Sequence, residues 1–136
     1  MAGSVLVDAG FLVAFLSDRD GHHRWALAQS SYLTLPWKTC ESVLSEAFHI
    51  LGQEGKHGLT SLIRRGAVVC VFALADHQDA VLNLIQKYAD VPMSVADACL
   101  VRMTEVLPDP IVLTTDAHFR IYRRHSRQII PCNLPH

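Results

Sequence analysis

The amino-acid sequence predicts an α/β fold in which a mostly parallel sheet lies between helices. Short apolar runs rich in β-branched residues alternate with segments whose apolar residues have helical spacing. In addition, the run 68–74 is apolar without alternation, which is typical of a strand covered on both faces in a parallel sheet. Alternating strands and helices favour parallel pairing, because parallel strands need a crossover connection.

Length and composition indicate one domain spanning residues 1–136. Half of the residues are hydrophobic and 18% are charged, which is enough apolar material for a substantial core. No apolar run reaches about 18 residues, and no basic segment precedes the first apolar run, so neither a membrane span nor a signal peptide is expected. The four cysteines have no CxxC spacing and are predicted to be buried thiols in a reducing cytoplasm.

In the N-terminal half, residues 4–7 are rich in β-branched side chains and predict a strand that ends at Asp8. The apolar stretch 9–16 follows. Residues 33–35 are a candidate second strand, stopped by Pro36. Three glycines between residues 51 and 59 are expected to loosen the chain between the last two helices of this half. The helices predicted here are 22–31, 41–53 and 59–65.

In the C-terminal half, the apolar strand 68–74 precedes two predicted helices, 76–88 and 94–106. Residues 111–114 are rich in β-branched side chains and predict a further strand. Residues 128–130 predict a last short strand before a proline-containing tail. The complete pattern therefore predicts a sheet whose strands are connected by helices.

Four carboxylates stand where an apolar segment ends or an apolar helix face begins: Asp8, Glu46, Asp97 and Asp116. Asp8 and Asp116 follow predicted strands, and ligands of open α/β sheets bind outside the carboxyl ends of the strands. Each of these two residues could equally cap a following helix. Asp97 fits a capping box that begins at Ser94.

Glu46 has the fewest structural explanations among these acids. It lies in the middle of a predicted helix, at the edge of the buried face. No Lys or Arg stands three or four residues away on that helix to neutralise it. A partly buried glutamate without a local partner is a functional candidate.

Four carboxylates placed close together would repel one another and raise their pKa values, whereas a divalent cation favours the ionised forms. A site with oxygen ligands only suits Mg²⁺ or Mn²⁺. The chemistry that follows is metal-assisted hydrolysis of a phosphodiester. A covalent role for Asp8 in phosphoryl transfer is disfavoured, because Ala9, Gly10 and Phe11 follow it where a second Asp would be needed.

The segments that contain the four acids resemble the PIN-domain ribonucleases, and they look most like the VapC-type toxins of bacterial toxin–antitoxin pairs. The segments that carry the resemblance are Ser4–Ala9, Val43–Ala47, Val91–Ala98 and Leu113–Phe119. The resemblance implies a three-layer α/β/α sandwich and a Mg²⁺- or Mn²⁺-dependent endoribonuclease with the four acids as ligands. It also implies a supporting hydroxyl at Thr115, a homodimer, a small cognate antitoxin, and structured RNA as the substrate.

Two positions depart from the pattern of that family. Ser94 and His118 stand where many relatives carry a further Asp, which puts a second metal position in doubt. Ser94 can cap a helix, and His118 could bind metal, contact phosphate or pack near Phe119.

The C-terminal part of the chain carries a basic cluster, although the formal net charge of −1 argues weakly against nucleic-acid binding. Arg120, Arg123 and Arg124 follow Asp116 closely enough to contact RNA phosphates at the rim of the acidic site. A solvated helix face is the alternative. At the level of function, the alternative to a nuclease is a catalytically silent module of the same fold that binds RNA or protein. The presence of all four acids argues against that alternative.

Overall fold

The computed structural model describes residues 3–135 and has the predicted three-layer α/β/α architecture around a parallel sheet. The central sheet has five strands in the order β3-β2-β1-β4-β7, and each neighbouring pair is parallel. The strands of this sheet are β1 Ser4–Val7, β2 Trp37–Thr39, β3 Val68–Cys70, β4 Pro110–Leu113 and β7 Cys132–Asn133. Two further strands, β5 Arg123–Arg124 and β6 Gln128–Ile129, form a separate antiparallel pair.

The helices lie between the strands in the chain and cover the sheet. They are α1 Ala9–Leu16, α2 His23–Ser30, α3 Glu41–Ile50, α4 Gln53–Arg64, α5 Gln78–Lys87 and α6 Val95–Val106. Helix α1 packs against α2, α3 and α4, while α6 packs against α3 and α5. Two 3₁₀ turns, Leu74–His77 and Ala117–Arg120, connect the later elements. Within residues 3–135, no helix has the length and apolar character needed to cross a bilayer.

Strand β1 lies at the centre of the sheet, and its four residues are all buried, as expected for a strand covered on both faces. Its register with β4 places Val7 opposite Leu113, so Asp8 and Thr114 leave the sheet side by side. Its other neighbour is β2, where Leu6 faces Lys38. This register is what brings the two strand-ending segments of the candidate site together.

The second strand was predicted at 33–35 and instead begins immediately after Pro36. Proline has no N–H to donate to a ladder, whereas the Trp37 amide donates to the Ala67 carbonyl at 2.8 Å and opens the pairing with β3. The prediction of a strand over 68–74 was too long. Its only neighbour, β2, has three residues, so the paired strand ends at Cys70. Cys70 is exposed whereas Val68 of the same strand is buried, which contradicts the expectation of cover on both faces along the whole strand.

The helix predicted from residue 41 to residue 53 ends at Ile50, since Leu51 is extended. Helix α4 then begins at Gln53, six residues before the predicted start at Leu59, and it includes Gly55 and Gly58. Glycine lowers helix propensity, but here it permits close packing. A Cβ atom on Gly55 would lie 2.6 Å from the Leu51 Cδ2 atom, and one on Gly58 would lie 3.0 Å from the Leu16 Cδ2 atom.

The strand predicted at 128–130 exists only as Gln128–Ile129, and it pairs with β5 rather than with the central sheet. The last strand of the central sheet is instead β7, which pairs with β4. The prediction that all the cysteines are buried holds for Cys40 and Cys99 only, because Cys70 is exposed and Cys132 is partly exposed. All four cysteine thiols are free, as expected.

Candidate functional site

Asp8 leaves the carboxyl end of β1 and is the N-cap of α1. Its Oδ1 atom accepts a hydrogen bond from the Phe11 amide at 2.8 Å, and its Oδ2 atom accepts one from the Thr114 hydroxyl. The residue is only 6% exposed. Burial raises the pKa of Asp8 to about 7, and the nearby charges of Asp97 and Asp116 act in the same direction. Asp8 can therefore cap α1 through one oxygen and still act as a ligand at the end of β1.

Thr114 connects the two strand-ending acids and was not singled out from the sequence. It is fully buried, its hydroxyl donates to Asp8, and the hydroxyl oxygen accepts a hydrogen bond from the Asp116 amide at 2.9 Å. In the sequence, Thr114 is marked only by its position directly after β4. Its contact with Asp8 can be inferred only once the register between β1 and β4 is known. A carboxylate that receives a hydroxyl hydrogen bond is stabilised in its ionised form.

Thr115, the hydroxyl implied by the family resemblance, lies against Gly10 of α1. A Cβ atom on Gly10 would come within 2.2 Å of the Thr115 Oγ1 atom and 3.6 Å of the Asp8 Oδ1 atom. The absence of a side chain at Gly10 therefore makes room for this hydroxyl. Thr115 is partly exposed beside the acid.

Asp97 lies in the first turn of α6, where the predicted capping box is confirmed. The Asp97 amide donates to the Ser94 hydroxyl at 3.0 Å, and the Ser94 amide donates to the Asp97 Oδ2 atom at 3.1 Å. The same Oδ2 atom receives a hydrogen bond from the Tyr122 hydroxyl at 3.3 Å. Burial raises the pKa of Asp97, and the charge of Asp116 adds to that rise.

Tyr122 is a second residue of the site that was not assigned from the sequence. Its side chain is fully buried and packs edge-on against Tyr88 and Phe119. Burial and the nearby charges of Asp97 and Asp116 raise the pKa of Tyr122, which keeps the phenol protonated as a donor. In the sequence this tyrosine stands between Ile121 and an arginine pair, and no pattern distinguished it from a solvated position.

Asp116 begins the 3₁₀ turn that follows β4, and its Oδ1 atom accepts a hydrogen bond from the His118 amide at 2.9 Å. The Nδ1 atom of His118 also lies 2.8 Å from this oxygen. The His118 imidazole thus contacts the Asp116 carboxylate. His118 therefore belongs to the acidic site.

Glu46 lies on α3 and is exposed, which corrects the prediction that it is partly buried. On the same helix Val43 and Ala47 are buried, whereas Ile50 is 53% exposed. Partial shielding of the Glu46 carboxyl raises its pKa, and the charges of Asp97 and Asp116 add to this rise. Glu46 therefore faces the same electrostatic environment as the other acids.

The four acids form one electrostatic group at the carboxyl edge of the sheet. Asp97 and Asp116 each raise the pKa values of Asp8 and Glu46. Within residues 3–135, no Lys or Arg forms an ion pair with any of the four carboxylates. Over the same residues, no three His, Cys, Asp or Glu side chains are arranged closely enough to be recognised as a metal-binding group. The acids are therefore neighbours without the geometry of a formed metal centre.

The three arginines predicted to contact RNA differ in their surroundings. Arg120 is exposed at the end of the 3₁₀ turn that follows Asp116. Arg123 donates to the carbonyl oxygens of its own turn, including that of Arg120 at 2.8 Å. Arg124 donates from Nε to the Thr104 carbonyl at 3.1 Å, near the end of α6. Arg124 therefore has a structural contact that accounts for its position, whereas Arg120 is the most accessible cation of this cluster.

No protein-family model matches this chain, and no curated protein does either. A functional interpretation consequently depends on the chemistry of the four acids, on their hydrogen-bond partners, and on the resemblance of the four acidic segments.

Proposed function

We propose that this chain is a metal-dependent endoribonuclease that uses Mg²⁺ or Mn²⁺ to hydrolyse phosphodiester bonds in RNA. One observation supports the proposal above the others: the charges of Asp97 and Asp116 raise the pKa values of both Asp8 and Glu46, and none of the four carboxylates has a Lys or Arg ion-pair partner in residues 3–135. Such an arrangement is unfavourable for ionised acids unless a cation joins them. The resemblance to PIN-domain ribonucleases points to the same chemistry.

The donor set of the site fits a hard divalent cation, because every candidate ligand is an oxygen atom. The residues that would hold the cation are Asp8, Glu46, Asp97 and Asp116. Asp97 uses Oδ2 for its cap and for Tyr122, and Asp116 uses Oδ1 for His118, so each has a second oxygen for a ligand. When bound, such a cation lowers the pKa of a coordinated water and polarises a phosphoryl oxygen.

The remaining residues position these acids. Thr114 orients the Asp8 carboxylate and holds the Asp116 amide. Ser94 and Tyr122 orient Asp97 from two directions. His118 contacts Asp116 and, when protonated, adds a positive charge beside the acids. Arg120 is exposed near the rim, where a cation can attract the phosphates of a bound RNA.

We further propose that the chain acts in the cytoplasm as the toxin of a type II toxin–antitoxin pair. This part of the proposal is supported by the resemblance to VapC-type toxins, which implies a homodimer and a small antitoxin partner. A short reading frame for a DNA-binding antitoxin directly beside this gene is the expected genetic observation.

Cleavage of a fluorescently labelled structured RNA tests the nuclease proposal directly. The metal-depleted protein is expected to be inactive, and addition of Mg²⁺ or Mn²⁺ is expected to restore cleavage. The Asp97→Asn variant keeps the helix cap within about 1 kcal/mol and should remain folded by circular dichroism. This variant is expected to lose cleavage.

Asp76→Asn provides the matched control, because Asp76 is an exposed acid in the turn before α5. It should cleave at the parental rate. If Asp97→Asn retains full cleavage while folded, Asp97 is not a ligand. If the parental protein binds RNA without cleaving it at any metal concentration, the chain is a silent binding module of the same fold.

A further inference from the structure

The hydrogen bonds to Asp116 are concentrated on one of its two carboxylate oxygens. Its Oδ1 atom accepts a hydrogen bond from the His118 amide at 2.9 Å and lies 2.8 Å from the Nδ1 atom of the His118 imidazole. Because an ionised carboxylate only accepts hydrogen bonds, the imidazole must donate from Nδ1. A carboxylate has about four lone-pair sites on its two oxygens, so these two donors fill Oδ1. Within residues 3–135, the Oδ2 atom has no hydrogen-bond partner and is left for a ligand.

Asp97 has the same division of roles between its two oxygens. Its Oδ2 atom accepts hydrogen bonds from the Ser94 amide at 3.1 Å and the Tyr122 hydroxyl at 3.3 Å, whereas Oδ1 has no partner in the described part of the chain. Asp8 differs, because each of its oxygens accepts one hydrogen bond. None of these three aspartates therefore presents both carboxylate oxygens free to one cation.

The number of free oxygens affects which divalent cation such acids can hold. Ca²⁺ takes about 6–8 oxygen ligands and often uses both oxygens of a carboxylate. Mg²⁺ takes a smaller octahedral shell, keeps several waters and needs few carboxylates, and Mn²⁺ has similar oxygen-rich octahedral sites. Acids that offer a single oxygen each are therefore better suited to Mg²⁺ or Mn²⁺ than to Ca²⁺.

The backbone of His118 is held in the position from which the imidazole donates to Asp116. The His118 carbonyl oxygen accepts hydrogen bonds from the Ile121 amide at 2.8 Å and the Tyr122 amide at 3.1 Å. Phe119, the next residue, is fully buried and anchors the same turn. The imidazole itself is 41% exposed, so core packing does not account for its contact with Asp116. Hydrogen bonds of this kind orient carboxylate ligands, and their loss typically costs about 10–100-fold in metal affinity.

We propose that His118 is a positioning residue, which fixes Asp116 as a one-oxygen ligand and thereby favours Mg²⁺ or Mn²⁺ over Ca²⁺. In this role the imidazole does not bind the cation but acts through the Oδ1 atom of Asp116. The inference rests on the proposed function, because it concerns the cation of the same site.

Metal binding in the absence of RNA tests this role independently of catalysis. Binding of Mn²⁺ is measured by the loss of the electron paramagnetic resonance signal of the free ion, and the affinity for Ca²⁺ by its displacement of bound Mn²⁺. His118→Phe keeps a ring but removes both nitrogens, and it is expected to weaken Mn²⁺ binding about tenfold. Because Asp116 can then turn both oxygens toward a cation, the ratio of the Ca²⁺ to the Mn²⁺ dissociation constant should fall about threefold or more.

Two further variants and a control make the test specific. His118→Asn retains a side-chain N–H near the position of Nδ1 and should keep the Mn²⁺ affinity within about twofold of the parental value. His118→Ala should behave as His118→Phe does. His57→Phe changes an exposed histidine of α4 and should leave both affinities unchanged. Circular dichroism checks that each variant is folded.

The possible failures of this proposal and of the proposed function differ. If the parental protein binds no Mn²⁺, both the role of His118 and the metal requirement of the nuclease are wrong. If the parental protein binds Mn²⁺ and neither His118→Phe nor His118→Ala changes the affinity or the ratio, only the role of His118 is wrong. An equal loss of affinity for both cations in the Phe and Asn variants would also overturn the positioning role, because a direct ligand or a general structural support would behave in that way.

Discussion

The hydroxyl of Thr114 donates a hydrogen bond to the Asp8 carboxylate across the junction of β1 and β4. Both residues are buried at the carboxyl edge of the sheet. The same hydroxyl oxygen accepts a hydrogen bond from the Asp116 amide. This contact keeps an otherwise costly buried acid in a defined orientation. Burial of Asp8 raises its pKa and so makes the stability of the protein depend on pH, whereas the hydrogen bond from Thr114 lowers that pKa.

Asp8 should make the metal-free protein less stable as the pH rises from about 4 to about 7. Its pKa is raised from 3.8 to about 7 in the folded state, so the folded protein binds more protons than the unfolded chain in that window. The resulting loss of unfolding free energy is on the order of 4 kcal/mol, at 1.36 kcal/mol for each pH unit between the two pKa values. Above pH 7 the contribution is constant.

Urea unfolding of the parental protein and of Asp8→Asn at several pH values measures this dependence. The difference in unfolding free energy between the two should grow in favour of the variant up to about pH 7. Asp18→Asn alters an exposed acid in the turn after α1 and should follow the parental protein at every pH. A difference that does not vary with pH would contradict a raised Asp8 pKa.

Replacement of Thr114 by valine should lower the unfolding free energy by about 1–3 kcal/mol, because it leaves buried hydrogen-bonding groups unpaired. The loss should be larger at pH 8 than at pH 5, since the hydroxyl favours the ionised form of Asp8. The same unfolding measurement applies. Thr115→Val is the matched control, and an equal, pH-dependent loss in that variant would reassign the supporting hydroxyl to Thr115.

Replacement of Tyr122 by phenylalanine removes the donor to Asp97 and leaves the aromatic packing with Tyr88 and Phe119 in place. If the proposed nuclease function is right, the Mg²⁺ concentration for half-maximal cleavage should rise severalfold while KM for RNA changes little. Tyr88→Phe removes a hydroxyl that accepts from the Arg123 amide rather than one that contacts an acid. Equal changes in the metal dependence of both variants would show that the Tyr122 hydroxyl has no specific effect on Asp97.

Replacement of the exposed Arg120 should affect RNA binding but not stability, whereas replacement of Arg124, which donates to the Thr104 carbonyl, should affect stability. Arg120→Gln is expected to leave the melting temperature unchanged and to reduce by about 1 the slope of log K for RNA binding against log salt. Arg124→Gln removes the donors to the Thr104 carbonyl and should lower the melting temperature. Thermal melts and salt titrations of RNA binding distinguish them, and an unchanged salt slope for Arg120→Gln would exclude a phosphate contact there.

The sequence alone allowed the α/β class, most helix positions and the capping box from Ser94 to Asp97 to be predicted, while metal binding by the four acids stays a prediction. These features are local: apolar periodicity, strand composition and cap residues act within a few positions along the chain. Errors occurred where a distant neighbour decides the outcome. The length of β3 follows from the three residues of β2, and Gly58 lies inside α4 at a point where a Cβ atom would come within 3.0 Å of the Leu16 Cδ2 atom.

The composition of the acidic site is thus a property of the sequence, whereas its arrangement is a property of the tertiary structure. Asp8 and Thr114 are more than a hundred positions apart, and only the register of β1 with β4 makes them neighbours. Tyr122 and Asp97 are 25 positions apart and are likewise neighbours only in the folded chain. Side-chain chemistry is encoded residue by residue, but burial, hydrogen-bond partners and pKa depend on which distant segments the sheet places together.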